Sequence, residues 1–544
     1  MKRYFKITEL DNGFVRLLAH PHTKDIEALE SCCSGVETAN YYFLCKYFNV
    51  DIPGEFVLTQ LAALQDTDKS SDKYGCMRWY REEPCIRDTN GAFFVLKPLA
   101  AAMLICSDKL NVTEQNLIKE MLNKGLHWFK KECRDHGLFY PNKIVSDGAL
   151  LSCIAHITND ESAKNDALTF WNKWLNYTKN YGWGWGENTS ACYASIIIEA
   201  LELAAASMKN ESHIYIELIK LRNVLLNYMD FHDELEYIPS IRSYNFAGKI
   251  KNSYIVNYIS QIITPSNLPG DTNYKKLSAL ILHQHSPEYI KDDNNENFRK
   301  EHIYANSYAY TYKGSNIRLG TISHFPVMPG CYQNSGWGLG WQSMPISVLA
   351  VNHGVSYLRY TAVSDKKLRT HPAYDKHSAY LSTALFSDEN IPDISTVSYQ
   401  DENIALIIRQ ISHVANKAES VADEWFVPGF SEDCEVYKGW FIINYGDCIL
   451  AVKPLNNQAK SYVDQNGLHI SQSIYSGEEK TLIIRKALTI WAVAVFDNTE
   501  DYKNRIEQVI AKVSNEQDLY IPREIPKYSI KCGSIEATYD PENY

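Results

Sequence analysis

The chain lacks several features that would place it in a specialised class. No run of about eighteen apolar residues occurs in it, so the sequence predicts no membrane span. The N-terminal stretch MKRYFKITELDNGFVRLL is positively charged but has no apolar segment like that of a secretory signal, so we expect a cytoplasmic protein. A net charge of −11 argues against nucleic acid as the main partner, because phosphate binding is driven by lysine and arginine.

The 13 cysteines are odd in number and show no zinc-like spacing. They are typical of reduced thiols in a cytoplasmic protein, and the sequence predicts neither a metal site nor another cofactor. Aromatic residues, in contrast, are abundant, with 37 tyrosines and 11 tryptophans. Because aromatic rings stack on the apolar faces of sugars, this composition mildly favours a carbohydrate site, although aromatics also serve cores and strands.

At 544 residues the chain is long for one core, so we expect two domains, at 1–290 and 291–544. In the first, helices that are apolar nearly all round alternate with amphipathic ones, which is typical of inner helices packed around an axis and outer helices facing water. The apolar segments are 90–106, 147–156 and 190–205, and the amphipathic segments are 117–133, 163–177 and 214–228.

Beyond about residue 301 the pattern changes to short aromatic and β-branched runs. Residues 305–321 hold two such runs around Lys313-Gly314-Ser315-Asn316, which predicts a hairpin. Further runs lie at 405–412, 439–445, 448–452, 481–496 and 529–538. The predicted fold class is α+β multidomain, with an N-terminal (α/α) toroid followed by a C-terminal antiparallel β-sandwich.

Four loops of the first half share a sequence pattern. An aromatic, glycine-containing stretch is followed by polar residues and then by an apolar helix. They lie at 74–92, 136–149, 181–191 and 237–254. Because each precedes an inner helix, we expect them to gather on one rim of the ring. Such a rim would offer a cleft rich in hydrogen-bonding and aromatic groups.

This architecture resembles the heparinase II/III-like and alginate-lyase-like polysaccharide lyases. The domain order, the rim loops and the stretches GWGWGENTS at 182–190 and GWGLGWQSMP at 336–345 carry the resemblance. It implies cleavage of an anionic, uronic-acid-containing glycan by β-elimination, without a metal. The reaction needs a group that neutralises the uronate carboxylate, a Tyr or His base, and an acid that is often Tyr.

Several rim residues are candidates for these catalytic roles. Asn188 is a candidate neutraliser, and its alternative role is a helix N-cap. Tyr193 lies near the start of the same inner helix and could face either the lumen or the outer layer. Arg242 suits a uronate carboxylate but could equally form an ordinary surface salt bridge. Tyr244 is a second acid or base candidate beside it.

Two further catalytic candidates lie later in the chain. Tyr258 shares a helix face with Tyr254, four residues earlier, and both could instead be core residues. His324 ends a predicted strand and could complete the site, although a single histidine at a strand end is often structural. Tyr254 is kept as a substrate-binding candidate.

The remaining candidates would bind the sugar. Glycine neighbours favour exposure of the tryptophans in the two Gly-Trp stretches, so these rings are candidate sugar platforms. Asn90 shares the ambiguity between ligand contact and helix cap. The full set of these substrate-binding candidates is Asp88, Asn90, Trp183, Trp185, Glu187, Trp337 and Trp341.

Three other functions are consistent with the sequence. An inverting glycoside hydrolase would use rim carboxylates such as Asp88, Asp147 and Glu187 as acid and base. A terpenoid cyclase or dehydratase-isomerase could use Cys192 and Tyr193 with Asp88 on the same toroid. A non-catalytic sugar-binding protein would bind glycans without turnover.

Overall fold

The computed structural model divides the chain into two compact units. The helical unit comprises Met1–Asn180, Tyr193–Glu234 and Tyr254–Asp292, and the β unit comprises Tyr181–Cys192, Leu235–Ser253 and Asp293–Tyr544. The residues that the structure describes are 6–23, 25–134, 137–190, 192–233, 237–242, 274–287, 289–292, 296–328, 343–364, 366–368, 393–412, 414–484, 487–515 and 527–540.

The helical unit alternates buried and amphipathic helices after a short N-terminal hairpin. The hairpin pairs β1 (Val15–Leu17) with β2 (Cys32–Ser34). The helices are α1 (Gly35–Phe48), α2 (Gly54–Ala62), α3 (Gly91–Ile105), α4 (Val112–Arg134), α5 (Pro141–Thr158), α6 (Glu161–Tyr181), α7 (Tyr193–Ser207), α8 (Ser212–Phe231) and α9 (Tyr274–Gln284).

The buried helices close into a ring. Helix α1 packs on α3, α3 on α5, α5 on α7, α7 on α9, and α9 returns to α1. Helix α3, with the sequence GAFFVLKPLAAAMLI, is apolar on nearly all sides and is buried between α1 and α5. The amphipathic α4 and α8 pack outside this ring, against α5 and α7 respectively. The predicted (α/α) toroid is thus confirmed.

The β unit is built from antiparallel strands. Its first strands are β3 (Phe298–Tyr304), β4 (Ser307–Lys313), β5 (Ile317–Ile322), β6 (His324–Phe325), β7 (Ile346–Ala350), β8 (Gly354–Ser364), β9 (Lys367–Leu368), β10 (Asp393–Asp401), β11 (Ile404–Ser412) and β12 (Val414–Pro428). They are followed by β13 (Glu435–Tyr437), β14 (Trp440–Asn444), β15 (Ile449–Pro454), β16 (Ala459–Asp464), β17 (Gly467–Ile484), β18 (Ala487–Phe496), helix α10 (Tyr502–Gln508), β19 (Ala511–Asn515), β20 (Tyr528–Cys532) and β21 (Ile535–Tyr539).

Two large sheets make the sandwich. One has the order β16-β17-β12-β8-β7-β5-β4-β3, with β9 paired to β8, and the other has the order β13-β14-β15-β18-β11-β10-β6. Their facing sides share a core that contains Trp425 and Trp491, both fully buried. The outer face of the second sheet packs under the small sheet β19-β20-β21 and α10. The predicted antiparallel β-sandwich is therefore confirmed.

The local predictions succeed where turn residues mark a boundary. The hairpin expected around Lys313–Asn316 joins β4 to β5. The run at 481–496, expected as one strand, contains the end of β17 and the whole of β18, and these two strands belong to different sheets. Within the described ranges, no helix combines the length and apolar character needed to cross a membrane.

Asp147 is a buried carboxylate of the helical unit. Its Oδ2 accepts a hydrogen bond of 2.6 Å from Lys143 Nζ, which also contacts Glu132. Asp147 Oδ1 is buried and has no hydrogen-bond partner among the described residues. Burial raises the pKa of Asp147 to about 6, although Lys143 opposes this shift.

This raised pKa predicts a pH-dependent effect on stability. The folded chain keeps a proton on Asp147 to a higher pH than the unfolded chain does. The contribution of Asp147 to stability is therefore fully present below about pH 4 and falls as the pH rises through about 6. We expect Asp147→Asn, relative to the wild type, to gain about 2 kcal/mol in unfolding free energy between pH 4 and pH 7.

Guanidinium unfolding at the two pH values measures this gain. The exposed Asp108 supplies the control, since Asp108→Asn should show no such change. A difference between wild type and Asp147→Asn that is the same at both pH values would contradict the assignment.

Candidate functional site

Two of the four expected rim loops bond to strands of the β unit. The loop before α7 runs along the end of β3, which is an edge strand of its sheet. Trp183 N donates a hydrogen bond of 2.6 Å to Ile303 O, and Ala305 N donates one of 2.8 Å to Tyr181 O. Gly182 forms an isolated bridge with Tyr304 and has a φ of +90°. A Cβ there would lie 2.4 Å from Ile303 O, so only glycine permits this approach.

Asn188 lies in this loop, in a single 3-10 turn formed by Glu187–Thr189. Its side chain is 1% exposed, and Asn188 Nδ2 donates a hydrogen bond of 3.0 Å to His302 O on β3. Asn188 Oδ1 is buried and has no hydrogen-bond partner among the described residues. Helix α7 begins only at Tyr193, so Asn188 does not act as its cap. The amide is held in place by a neighbouring strand.

Glu187 and Arg242 form a buried ion pair next to this amide. Arg242 Nη1 donates to Glu187 Oε1, and both side chains are almost wholly buried. The Arg242 guanidinium carbon also lies 5.7 Å from the centre of the Trp185 ring. The alternative of an ordinary surface salt bridge therefore does not apply to Arg242.

The main chain at Arg242 is also held within the β unit. Arg242 N donates a hydrogen bond of 3.1 Å to Ser343 Oγ, and Ser190 Oγ donates one of 3.0 Å to Arg242 O. Arg242 has a φ of 54°, an unusual value for a residue other than glycine. These contacts fix the end of the segment 237–242 against the loop that carries Asn188.

His324 lies on β6, one strand beyond β5 along the chain. It is exposed, and its Nδ1 lies 3.2 Å from Ser323 Oγ. Tyr308 N on β4 donates a hydrogen bond of 3.0 Å to the same Ser323 Oγ, and Tyr308 pairs with His302 on β3. Asn188 contacts His302 on β3, and His324 follows Ser323, which contacts Tyr308 on β4. Neighbouring strands are about 4.8 Å apart, so His324 and Asn188 both lie at the same end of β3, β4 and β5.

Asp88 and Asn90 lie in the helical unit, before α3. Asn90 N donates a hydrogen bond of 2.9 Å to Asp88 Oδ1, and the Asn90 side chain makes no capping bond to the helix. Asp88 Oδ2 is 3.5 Å from His22 Nε2, and His22 Nδ1 is 2.9 Å from the Tyr80 hydroxyl. Burial raises the pKa of Tyr80 well above its usual range. The sequence analysis did not identify His22, which no motif surrounds, or Tyr80, although Tyr80 lies within the loop at 74–92.

The expected exposure of Trp183 and Trp185 is wrong. Their relative exposures are 5% and 7%, since Gly182, Gly184 and Gly186, all at positive φ, let the loop fold onto β3. Tyr193 begins α7 and is also buried. The other candidates lie outside the described residues: Tyr244, Tyr254, Tyr258, Trp337 and Trp341.

The similarity of this chain to known proteins lies in its fold. A search against protein-family models finds no match. A search of curated proteins finds no match either.

Solved structures do resemble this chain. The chondroitin AC lyase of Streptomyces coelicolor A3, in complex with chondroitin sulphate, is similar over 95% of this chain and 80% of its own, at 9% identity and a TM-score of 0.53. A heparinase III is similar over 99% of this chain and 94% of its own, at 7% identity and a TM-score of 0.44. A xanthan lyase of Paenibacillus covers 89% of this chain and 59% of its own, at 9% identity and a TM-score of 0.36.

At 9% identity and a TM-score of 0.53, the similarity to the chondroitin AC lyase shows the fold alone. The predicted resemblance is confirmed at that level: the chain has a polysaccharide lyase-like fold, with an (α/α) toroid and an antiparallel β-domain.

Proposed function

We propose that the protein is a lyase that cleaves a uronic-acid-containing glycan by β-elimination. The observation that carries the proposal is the Asn188 amide, which is buried and fixed on β3 instead of capping α7. The polysaccharide lyase-like fold supports the same function. The substrate is an anionic carbohydrate, and the protein acts in the cytoplasm.

The reaction requires charge stabilisation at one place. A base removes the proton at C5, the electrons of the C5–H bond form the C4=C5 double bond, and the C4–O bond breaks. An acid then protonates the leaving oxygen. Because negative charge builds on the neighbouring carboxylate as the proton leaves, a fixed N–H donor aimed at that carboxylate lowers the barrier.

Asn188 is the proposed donor. Its amide nitrogen carries two protons, and among the described residues one hydrogen bond of this nitrogen is found, to His302 O. The second proton is then available to the uronate carboxylate. The bond to His302 O also determines the orientation of the amide, because the reverse orientation would place two carbonyl oxygens against each other.

Arg242 is proposed to position this donor. Its Nη1 already contacts Glu187, the residue before Asn188, so a bidentate contact with a uronate would compete with the buried pair. Tyr244, Tyr258, Tyr193 and His324 remain the proposed acid and base candidates. Tyrosine and histidine are suited to these roles because each can hold and release a proton near the sugar ring.

The ion pair also weighs against the hydrolase alternative. A general acid must keep a proton at working pH, whereas contact with a guanidinium favours the ionised carboxylate. A general base must accept a proton from water, whereas Glu187 Oε1 already accepts a hydrogen bond from Arg242 Nη1. Elimination therefore fits Glu187 better than inverting hydrolysis does.

Turnover of uronate polymers tests the proposal directly. Elimination creates a double bond conjugated with the carboxylate, so it raises ultraviolet absorbance, whereas hydrolysis does not. We expect absorbance to rise when the protein is incubated with at least one of alginate, glucuronan and a glycosaminoglycan panel. Flat traces with all of them, as polymers and as oligomers, would refute the lyase.

Asn188→Ala tests the proposed donor. Removing one preorganised donor to a developing oxyanion should lower kcat by about 100- to 1000-fold. Asn188→Asp should lower it at least as much, because it adds a charge that repels the uronate. Initial rates of absorbance increase measure both. Asn172→Ala, on the exposed face of α6, is the control, and a rate within threefold of it for Asn188→Ala would contradict the role.

Glu187→Gln separates a positioning pair from a catalytic acid. Leaving Arg242 buried without its counter-charge should cost about 3–5 kcal/mol of unfolding free energy. The double variant Glu187→Gln/Arg242→Gln should be less destabilised than the sum of the single variants, because it removes both charges. Guanidinium unfolding measures this, with the exposed Glu432→Gln as control. Unchanged stability together with lost turnover would instead favour a catalytic carboxylate.

A further inference from the structure

The β3–β4 hairpin presents a row of aromatic side chains on one face. Phe298 pairs with Tyr312, Lys300 with Tyr310, and His302 with Tyr308, so all six side chains share that face. From Tyr308 to Tyr312 the row is about 14 Å long, at about 3.4 Å per residue.

Burial changes abruptly along this face from one strand to the next. On β5 the matching residues Ile317, Leu319 and Thr321 are all 0% exposed. They lie under β10 of the opposite sheet, where Gln400 Nε2 donates a hydrogen bond of 3.1 Å to Leu319 O. On β4 and β3 the same face is half-buried, and Lys300 is exposed. The nine-stranded sheet thus extends past the strand that covers β5.

We call Phe298, Lys300, Tyr308 and Tyr310 the aromatic platform. The rings of Phe298 and Tyr310 are nearly parallel, with planes 6° apart and centres 6.0 Å apart. The Tyr308 and Tyr310 centres are 6.5 Å apart. Lys300 Nζ lies 4.0 Å from the centre of the Tyr308 ring and 5.5 Å from that of Tyr310.

Lys300 gives the platform its charge. Among the described residues it has no carboxylate partner, and its ammonium group lies over the two tyrosine rings. A half-exposed aromatic surface suits the apolar face of a sugar ring, and an unpaired ammonium suits a carboxylate.

We infer that the aromatic platform is a second glycan-binding site, which holds a stretch of anionic polysaccharide outside the candidate catalytic site. The identity of the glycan as a uronate polymer rests on the proposed function. The platform begins at the strand end where Asn188 bonds to His302 O, so one strand serves both sites. Tyr308 and Tyr310 stack against sugar rings, and Lys300 pairs with a uronate carboxylate.

A purely structural role makes a different prediction. Cross-strand aromatic pairs stabilise sheets, and a lysine on an edge strand discourages pairing with another chain. In that case, truncating the platform would change stability without changing glycan affinity. The other end of the same sheet offers a matched control. There Lys480 Nζ lies 4.7 Å from the centre of the half-buried Tyr475 ring, and no row of further rings accompanies the pair among the residues that the structure describes.

Native gels cast with polysaccharide measure the affinity. The probes are alginate, chondroitin sulphate and, as a neutral polymer, hydroxyethyl cellulose. We expect an anionic polymer to retard the wild type and the neutral one to have little effect. Tyr310→Ala and Lys300→Gln should each weaken apparent affinity by about five- to tenfold, while Tyr310→Phe and Tyr475→Ala should keep it. Thermal melting identifies any variant that fails to fold.

Three outcomes would overturn the platform. In the first, Tyr310→Ala and Lys300→Gln both migrate as the wild type does in gels that contain the anionic polymer. In the second, the neutral polymer retards the wild type as much as the anionic polymer does. In the third, no polymer retards the wild type. These outcomes are separate from the test of the lyase. A flat absorbance trace with platform-dependent retardation refutes the lyase alone, and turnover without platform-dependent retardation refutes the platform alone.

Discussion

The candidate site depends on one buried ion pair, between Glu187 and Arg242. The two residues are 55 positions apart in the chain, and neither charge is accessible to water. Removing two ions from water costs several kcal/mol for each, and their attraction compensates only when both are present and well oriented. The two loops are therefore stable in this arrangement together and not separately. Because Asn188 follows Glu187 directly, the pair also determines where the amide lies.

Much of the fold could be predicted from the sequence, because burial leaves a periodic pattern. The apolar run of α3 and the amphipathic run of α4 differ in the way that inner and outer helices must. The hairpin between β4 and β5 could be predicted from its turn residues. The change of sheet between β17 and β18 could not, since the last residues of β17, TLII, and the whole of β18 are rich in apolar and β-branched residues regardless of the sheet that receives them.

The candidate site was harder to predict, because its contacts are made by groups without a sequence signal. The partner of Asn188 is a main-chain carbonyl 114 residues away, and every residue has such a carbonyl. An asparagine in a polar turn before a helix fits a cap equally well from sequence alone. The burial of Trp183 was missed for the same reason. Glycines indicate a flexible loop, but the loop sequence does not indicate the strand edge against which the loop packs.

In the proposed function, an acidic protein binds an acidic glycan. The charged groups of the β unit then have two separate tasks, attraction of the polymer and catalysis. At the candidate catalytic site the cation Arg242 is neutralised by Glu187, and the group proposed to meet the uronate is a neutral amide. A neutral donor gains strength as charge builds on the carboxylate, so it favours the transition state more than the bound substrate. Attraction to the polymer can then come from elsewhere, and Lys300 on the aromatic platform is a cation without a carboxylate partner among the described residues. In the proposed function, separating attraction from catalysis in this way holds a polyanion without binding its reacting sugar too tightly to release it.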